Sequence, residues 1–298
     1  MKKWIFTAGI LFYMLLSVSA LGEVTIGGKD FSEDTEYIDL GEMTIEFDDI
    51  QALLHDLPNV KQIDMFGVTL EGKQMDKLKD EFPDVKVNCV IHLAAKHYIR
   101  TDAKVFSTLH GSCSMHSSKE LAPLRYCTEL MALDIGHNDL TDISFISELK
   151  HLRVLILACN ENLINIRPLS ELKELEYLEL FSTNIQRIDS LAGLNNLLDL
   201  NLSNTKINTL NPVLGLKKLM RLWAPQCDGF QGKAGMEKLQ AALPGATIMT
   251  HGHPTDHGWR IDDNGVEHPH YSIIYRMFRG EDYIPFAESA PLLETEEN

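Results

Sequence analysis

The sequence is poor in cysteine and in basic residues. Its 298 residues include five cysteines, and 27 lysines and arginines stand against 43 acidic residues, for a net charge of −16. A chain this acidic repels phosphate backbones and anionic membranes, so we expect no nucleic-acid partner and favour a cationic one. An odd number of cysteines does not form a disulfide framework. We interpret the cysteines as small buried residues and leave one pairing open, that of Cys89 with Cys113.

An apolar run of the roughly 20 residues needed to cross a bilayer is also missing. The N-terminal run Trp4–Val18 is shorter, follows Lys2 and Lys3, and leads into the small residues Ser19 and Ala20. A basic, then an apolar, then a small-residue segment is typical of a secretory signal peptide. We predict cleavage near Ala20 and a secreted mature chain, of charge −18, with no membrane insertion.

A repeat fills much of the second half of the sequence. The pattern is L-x-x-L-x-L-x-x-N-x-L, with Thr or Cys at some Asn positions, and its copies start 22 or 23 residues apart, at Leu130, Leu152, Leu175, Leu197 and Leu219. Leucines two positions apart lie on one face of a short strand. One copy, here called a coil, cannot bury its own leucines, so coils stack and share a core. The side chain at the Asn position forms hydrogen bonds with backbone groups of the turn, which would otherwise be buried without partners.

These features predict an α/β fold, a leucine-rich-repeat solenoid of about eight coils. A parallel sheet forms its concave face, and short 3-10 or helical segments form its convex side, since Pro168 and Pro212 disfavour full helices there. The predicted parts are a signal peptide (1–20), strand–helix capping coils (21–89), a hairpin insertion with a partial coil (90–129), the repeats with a C-terminal capping coil (130–250) and a His-rich tail with a short helix (251–298).

Residues 120–228 resemble the repeat array of internalin-like bacterial leucine-rich-repeat proteins. The whole mature chain is similar to a group of secreted bacterial proteins with a strand–helix cap, a hairpin and a tail like Gly258-Trp259-Arg260 and His268-Pro269. The resemblance implies extracellular binding and names no ligand. The helical N-terminal cap and the immunoglobulin-like domain of internalins are not recognisable here, so a host receptor is not implied.

The tail histidines are the candidate metal ligands. They are His251, His253, His257, His268 and His270. Imidazoles bind zinc, but the spacing of the first three is one residue longer than in metallo-β-lactamase-like hydrolases, so we favour a polar tail without a metal role. A secreted protein that binds a divalent metal through this tail stays an alternative. A hydrolase with an unrecognised site is the other alternative. The sequence contains no nucleophile elbow, zinc-binding helix or phosphate-binding loop, so we predict neither enzyme activity nor a cofactor.

The residues between the core leucines point outward from the concave face in columns. Tyr177, Phe181 and Trp223 fall on one face within three adjacent coils, and aromatic residues carry much of the binding energy at protein interfaces. We therefore predict a non-catalytic module that recognises a protein or peptide through this face. Its candidate ligand-binding residues are Asp134, His137, Tyr177, Glu179, Phe181, Asp199, Arg221 and Trp223. We expect the tail helix, Pro269–Phe278, to pack on the open end of the solenoid, and Trp259 and Arg260 to pack against the last coil.

Overall fold

The computed structural model describes residues 17–18, 23–94, 97–109, 115–227, 232–252, 256–262 and 264–286. The chain divides into two compact units, residues 1–91 and 92–298. No helix among the described residues is long and apolar enough to cross a membrane. Most of the predicted signal peptide lies outside the described residues.

The first unit contains an antiparallel and a parallel sheet. The antiparallel strands are β1 (Ser17–Val18), β2 (Val24–Ile26) and β3 (Lys29–Phe31); the parallel strands are β4 (Tyr37–Gly41), β5 (Gln62–Leu70) and β6 (Lys86–Ala94), which runs past the end of the unit; the helices are α1 (Phe47–Asp56) and α2 (Gly72–Glu81). Each helix buries one apolar stripe, with Leu53 in α1 and Leu78 in α2 fully inaccessible. Each ends just before the proline turn that the sequence contains, because proline cannot continue a helix.

The second unit is built on a seven-stranded sheet. Its elements are β7 (His97–Arg100), β8 (Val105–Ser107), α3 (Ser118–Leu121), β9 (Ala132–Asp134), β10 (Val154–Ile156), β11 (Tyr177–Glu179), β12 (Asp199–Asn201), β13 (Arg221–Trp223), α4 (Gly232–Ala242), β14 (Thr247–Met249), α5 (Asp256–Trp259) and α6 (Pro269–Phe278). The sheet runs in the order β14-β13-β12-β11-β10-β9-β8 with every pairing parallel. The connections behind it contain 3-10 helices at Ala122–Tyr126, Ser144–Glu148, Arg167–Glu171, Asp189–Leu191 and Asn211–Gly215.

The strand register confirms the repeat. Leu155 pairs with Leu133 and Leu178, and Leu200 continues the row to Leu222. All five leucines are fully buried, so neighbouring coils share one continuous core. A parallel sheet backed by short 3-10 helices, with this register, is a leucine-rich-repeat solenoid, and the predicted fold class is correct.

The Asn position of the repeat forms the predicted ladder of turn contacts. The Asn160 amide donates to Leu157 O at 2.9 Å and to Ile135 O in the preceding coil at 3.0 Å. Thr183 replaces the amide with one hydroxyl bond, to Leu180 O at 2.7 Å. In the last repeat the Cys227 thiol lies 3.9 Å from Ile207 O, a longer and weaker contact. The ladder therefore loses hydrogen bonds along the array.

The strand of the predicted partial coil was not recognised in the sequence. The hairpin interpretation of residues 90–109 is wrong for Val105–Ser107, because β8 pairs in parallel with Ala132–Asp134 and opens the sheet. Earlier in that segment the rings of His92 and Tyr98 stack at 4.8 Å between centroids. The short strand β8 carries no leucine pattern, so the leucine repeat begins one strand later than the sheet does.

Candidate functional site

The concave face of the second unit is covered by the C-terminal part of the chain. We call residues 256–262 and 264–286 the strap. Its helix α6 has the predicted bounds, but the prediction that it packs on the open end of the solenoid is wrong, since it lies against β8 and β9. Apolar strap residues and outward-facing sheet residues form one buried cluster, which includes Ala132, Val154, Ile156, Tyr177, Phe181, Trp223, Trp259, Ile273, Ile274, Met277 and Phe286.

The predicted columns of outward residues are present, but they are not open to solvent. Tyr177 pairs with Asp199, which pairs with Arg221, and Glu179 occupies the next column with Trp223. The exposed fractions of Tyr177, Trp223 and Glu179 are 0%, 7% and 0%. The expectation of an accessible aromatic patch is therefore wrong, because the strap removes it from water.

Trp259 is the central strap residue on this face. Its indole lies 5.5 Å from the Tyr177 ring and 6.1 Å from the Trp223 ring, measured between centroids. The Arg221 guanidinium lies 4.2 Å from the indole centroid, and its Nη1 donates to Trp259 O at 2.8 Å. Only 1% of Trp259 is exposed. Tryptophan prefers a buried seat that also offers a partner for its N–H, and Glu179 supplies that partner.

Glu179 gathers the strap's polar contacts. Its Oε1 accepts from Trp259 Nε1 at 2.9 Å, from Arg260 Nε at 3.0 Å and from the Tyr177 hydroxyl, while Arg260 Nη2 donates to Oε2 at 2.5 Å. Burial by itself would lower the pKa of Arg260, but attraction to Glu179 raises it. Burial and the neighbouring carboxylate raise the pKa of Tyr177. Glu179 is therefore a buried carboxylate paired with an arginine from the strap.

Asp199 forms a second charged contact with the strap. Arg221 donates to both carboxylate oxygens at 2.9 Å, and His270 Nδ1 lies 2.5 Å from Oδ2. Burial alone would raise the pKa of Asp199, yet the hydrogen bonds from His270 and Arg221 hold it below its ordinary value. The His270 ring stacks on Phe286 at 4.8 Å, which fixes its orientation.

Two further acidic residues differ in their partners. Glu176 accepts from Arg153 Nη1 at 2.6 Å and from the strap's Tyr283 hydroxyl. Asp134 accepts a 3.0 Å hydrogen bond from the Gly136 amide, and among the described residues it forms no ion pair with a cationic side chain. Burial raises its pKa to about 6. Asp134 is therefore the least compensated carboxylate on this face.

His137 is separate from this buried site. It is exposed, and its backbone φ of 57° is repeated once per coil, at Cys159, Ser182, Asn204 and Gln226. In each coil the residue with the left-handed backbone comes one position before the Asn position, so the backbone conformation of His137 follows from the repeat. The structure does not bring it into the strap contacts.

The structure brings together two of the predicted metal ligands. His268, His270 and Asp199 offer ligand atoms within 4.8 Å of one another. A cation among them would have to displace the Arg221 guanidinium from Asp199, so the geometry does not favour a metal. His251 is exposed and contacts Thr250, while the side chains of residues 253 and 257 lie outside the described part.

Sequence reasoning missed the roles of Gly258, Trp259 and Arg260. Trp259 packs against Arg221 and Trp223 of the last repeat, as expected. The expectation missed that Trp259 and Arg260 also reach Glu179, 80 and 81 residues earlier in the chain. One signal was available in the continuous apolar run Val154–Ala158, since strands buried on both faces show such runs instead of alternation.

Known proteins similar to this chain are found among solved structures. No protein-family model matches the sequence. No curated protein matches it. Among solved structures, internalin C2 of Listeria monocytogenes is 24% identical over 50% of this chain and 71% of its own, with a TM-score of 0.40. Another internalin of that species is 19% identical over 69% and 55%, with a TM-score of 0.38. A leucine-rich-repeat protein of Leptospira interrogans is 18% identical over 73% and 55%, with a TM-score of 0.35.

The chain is a leucine-rich-repeat protein by fold, with its concave face closed by its own strap.

Proposed function

We propose that this chain is a non-catalytic binding protein that holds a protein or peptide partner on the concave face, in the place that the strap occupies. The supporting observation is the chemistry of the seat around Trp259. Tyr177, Arg221 and Trp223 are of the residue types that dominate binding energy at protein interfaces, and they surround a paired carboxylate, Glu179. The face already holds one segment of polypeptide, the strap, through these contacts.

The arrangement of Glu179 and Asp199 favours a role in binding over one in proton transfer. A general acid or base must reach the substrate within hydrogen-bonding distance. Glu179 and Asp199 are fully buried, and their oxygens are bonded to Arg260, Arg221 and His270. Groups bound this way stabilise a ligand and offer no accessible proton.

The acidic residues of the face favour a cationic partner. Three of them contact the strap: Glu176 contacts Tyr283, Glu179 contacts Arg260 and Asp199 contacts His270. We propose further that the chain meets this partner outside the cell, after cleavage near Ala20. N-terminal sequencing of protein from the medium should begin at Leu21, and a full-length chain in the membrane fraction would contradict export.

Selection from a displayed random-peptide library tests the proposed function. The bait is the full chain with Trp259→Ala and Arg260→Ala together, which weakens the strap. Enriched peptides are titrated against this bait and against the bait that also carries Trp223→Ala or the convex-side control Glu171→Ala. We expect Trp223→Ala to weaken binding by about thirtyfold and Glu171→Ala to leave it unchanged, with thermal melts to verify folding. Enriched peptides that bind a folded bait with Trp223→Ala as well as the bait itself would remove the concave face as the binding site.

A further inference from the structure

We propose that Tyr177, Glu179, Arg221 and Trp223 form a recognition site for a Gly-Trp-Arg segment, and that a partner's segment of this chemistry displaces the strap's own Gly258-Trp259-Arg260. This inference rests on the proposed function, because it takes the concave face as the binding surface. It adds the chemical identity of the ligand, which the strap displays as an internal copy.

The site recognises the indole on every side. The Tyr177 and Trp223 rings pack against it, tilted by 36° and 47° to its plane, and Glu179 accepts a hydrogen bond from the indole N–H at 2.9 Å. The Arg221 guanidinium stacks on the indole and also donates a hydrogen bond to the carbonyl of Trp259, so it recognises both the side chain and the backbone of that residue. Phenylalanine lacks the N–H donor and would leave Glu179 with an unmet bond in a buried place, which selects tryptophan.

The next residue is read by its fork of donors. Arg260 donates to both oxygens of Glu179 through Nε and Nη2, a bidentate pairing. Lysine presents a single ammonium and cannot make two parallel bonds to one carboxylate. The site therefore discriminates arginine from lysine at this position.

The residue before the tryptophan must be glycine. Gly258 has a φ of +83°, and a Cβ placed on it would lie 2.7 Å from Cη2 of Trp223. Any side chain would therefore strain the backbone and collide with the ring on which the segment rests. Three consecutive positions are thus specified: no side chain, an indole and a guanidinium.

The internal copy keeps foreign segments out under ordinary conditions. A tethered segment faces its own site at an effective concentration on the order of 1 mM. A micromolar peptide competes poorly against it unless the internal copy is weakened. Removing the two side chains of the internal copy should therefore open the site to a peptide in solution.

The test uses the full chain with Trp259→Ala and Arg260→Ala together, here called the emptied variant. The probe is a fluorescein-labelled synthetic peptide with the sequence of residues 256–264, titrated by fluorescence anisotropy. We expect the emptied variant to bind it at least about tenfold more tightly than wild type. A peptide with lysine at the position of Arg260 should bind at least about tenfold more weakly than the probe.

Two receptor changes on the emptied variant serve as a matched pair. Glu179→Gln removes the negative charge at the site and should weaken binding of the probe by about tenfold or more, the effect expected for loss of a charge-assisted pair. Glu171→Gln changes an exposed convex residue and should have no effect. Binding that is equal in both variants overturns the proposal, as does a folded emptied variant that does not bind the probe.

Two further readouts keep the outcome clear. If the emptied variant fails to fold, Arg260→Ala alone retains the indole and is tested in the same titration, with the same expected direction. If the probe does not bind but library peptides without Gly-Trp-Arg depend on Trp223, this inference fails while the proposed function stands.

Discussion

The two units carry parallel sheets whose outward faces differ sharply. In the first unit the strand β4 alternates, with Ile38 and Leu40 buried and Tyr37 and Asp39 exposed. In the second unit every residue of β9 to β13 is buried on both faces. The inward leucines and isoleucines are alike in the two sheets. The outward residues decide whether a face stays in water or needs a cover.

The carboxylates of the two faces are compensated in different ways. On the first unit's face Asp64 accepts from Tyr37 at 2.8 Å, Gln62 at 2.9 Å and Asn88 at 2.8 Å. Burial would raise the pKa of Asp64, but these neutral donors lower it. On the covered face Glu179 needs a bidentate arginine. The half-solvated Asp64 is satisfied by neutral donors, whereas the fully buried Glu179 is paired with a cation.

The largest expected effect comes from removing the strap's central side chain. Trp259→Ala should lower the free energy of unfolding by about 3–5 kcal/mol, because it leaves a cavity between Tyr177 and Trp223. Tyr37→Ala, on the exposed face of the first unit, should change it by at most about 0.5 kcal/mol. Urea unfolding of both variants measures the difference. Similar losses would mean that the two faces are equally accessible.

A smaller, pH-dependent effect is expected at Asp134. Its pKa is raised from 3.8 to about 6, so the folded state holds the proton more tightly than the unfolded state and stability falls as pH rises between those values. Asp134→Asn keeps an acceptor for the Gly136 amide and should add about 2–3 kcal/mol at pH 8 and nothing near pH 3.5. The exposed Asp39→Asn serves as the control. A gain for Asp134→Asn that is the same at both pH values would contradict the burial of this carboxylate.

The smallest effects come from one substitution made on each face. Tyr177→Phe removes a buried hydroxyl bond to Glu179 and should cost about 1.5–3 kcal/mol. Tyr37→Phe removes the corresponding exposed bond to Asp64 and should cost at most about 0.5 kcal/mol. The pair of denaturation curves isolates the effect of burial on one hydrogen bond. Equal costs would mean that the strap does not exclude water from Tyr177.

The sequence predicts what repeats and leaves out what does not. Leucine spacing predicts the register of β9 to β13, the Asn position predicts the turn ladder, and Pro269 with Gly280 predicts the bounds of α6. These features follow from local periodicity and from the backbone limits of proline and glycine.

The cover of the concave face has no such local signal. Arg260 contacts Glu179, but the sequence around each of these residues predicts a charged side chain at the surface. Only the fold shows that one must neutralise the other. The polar residues Glu179, Asp199 and Arg221 were expected at an open interface, because charge in a strand usually marks a solvated face.

A double-mutant cycle on Glu179 and Arg260 tests most directly whether the strap is bound to the concave face. Glu179→Gln, Arg260→Gln and the double variant are compared with wild type by urea unfolding. A buried bidentate pair predicts that the free-energy changes depart from additivity by about 1.5–3 kcal/mol. Changes that add to within about 0.5 kcal/mol would show that the two side chains do not interact, and would contradict a strap closed over the concave face.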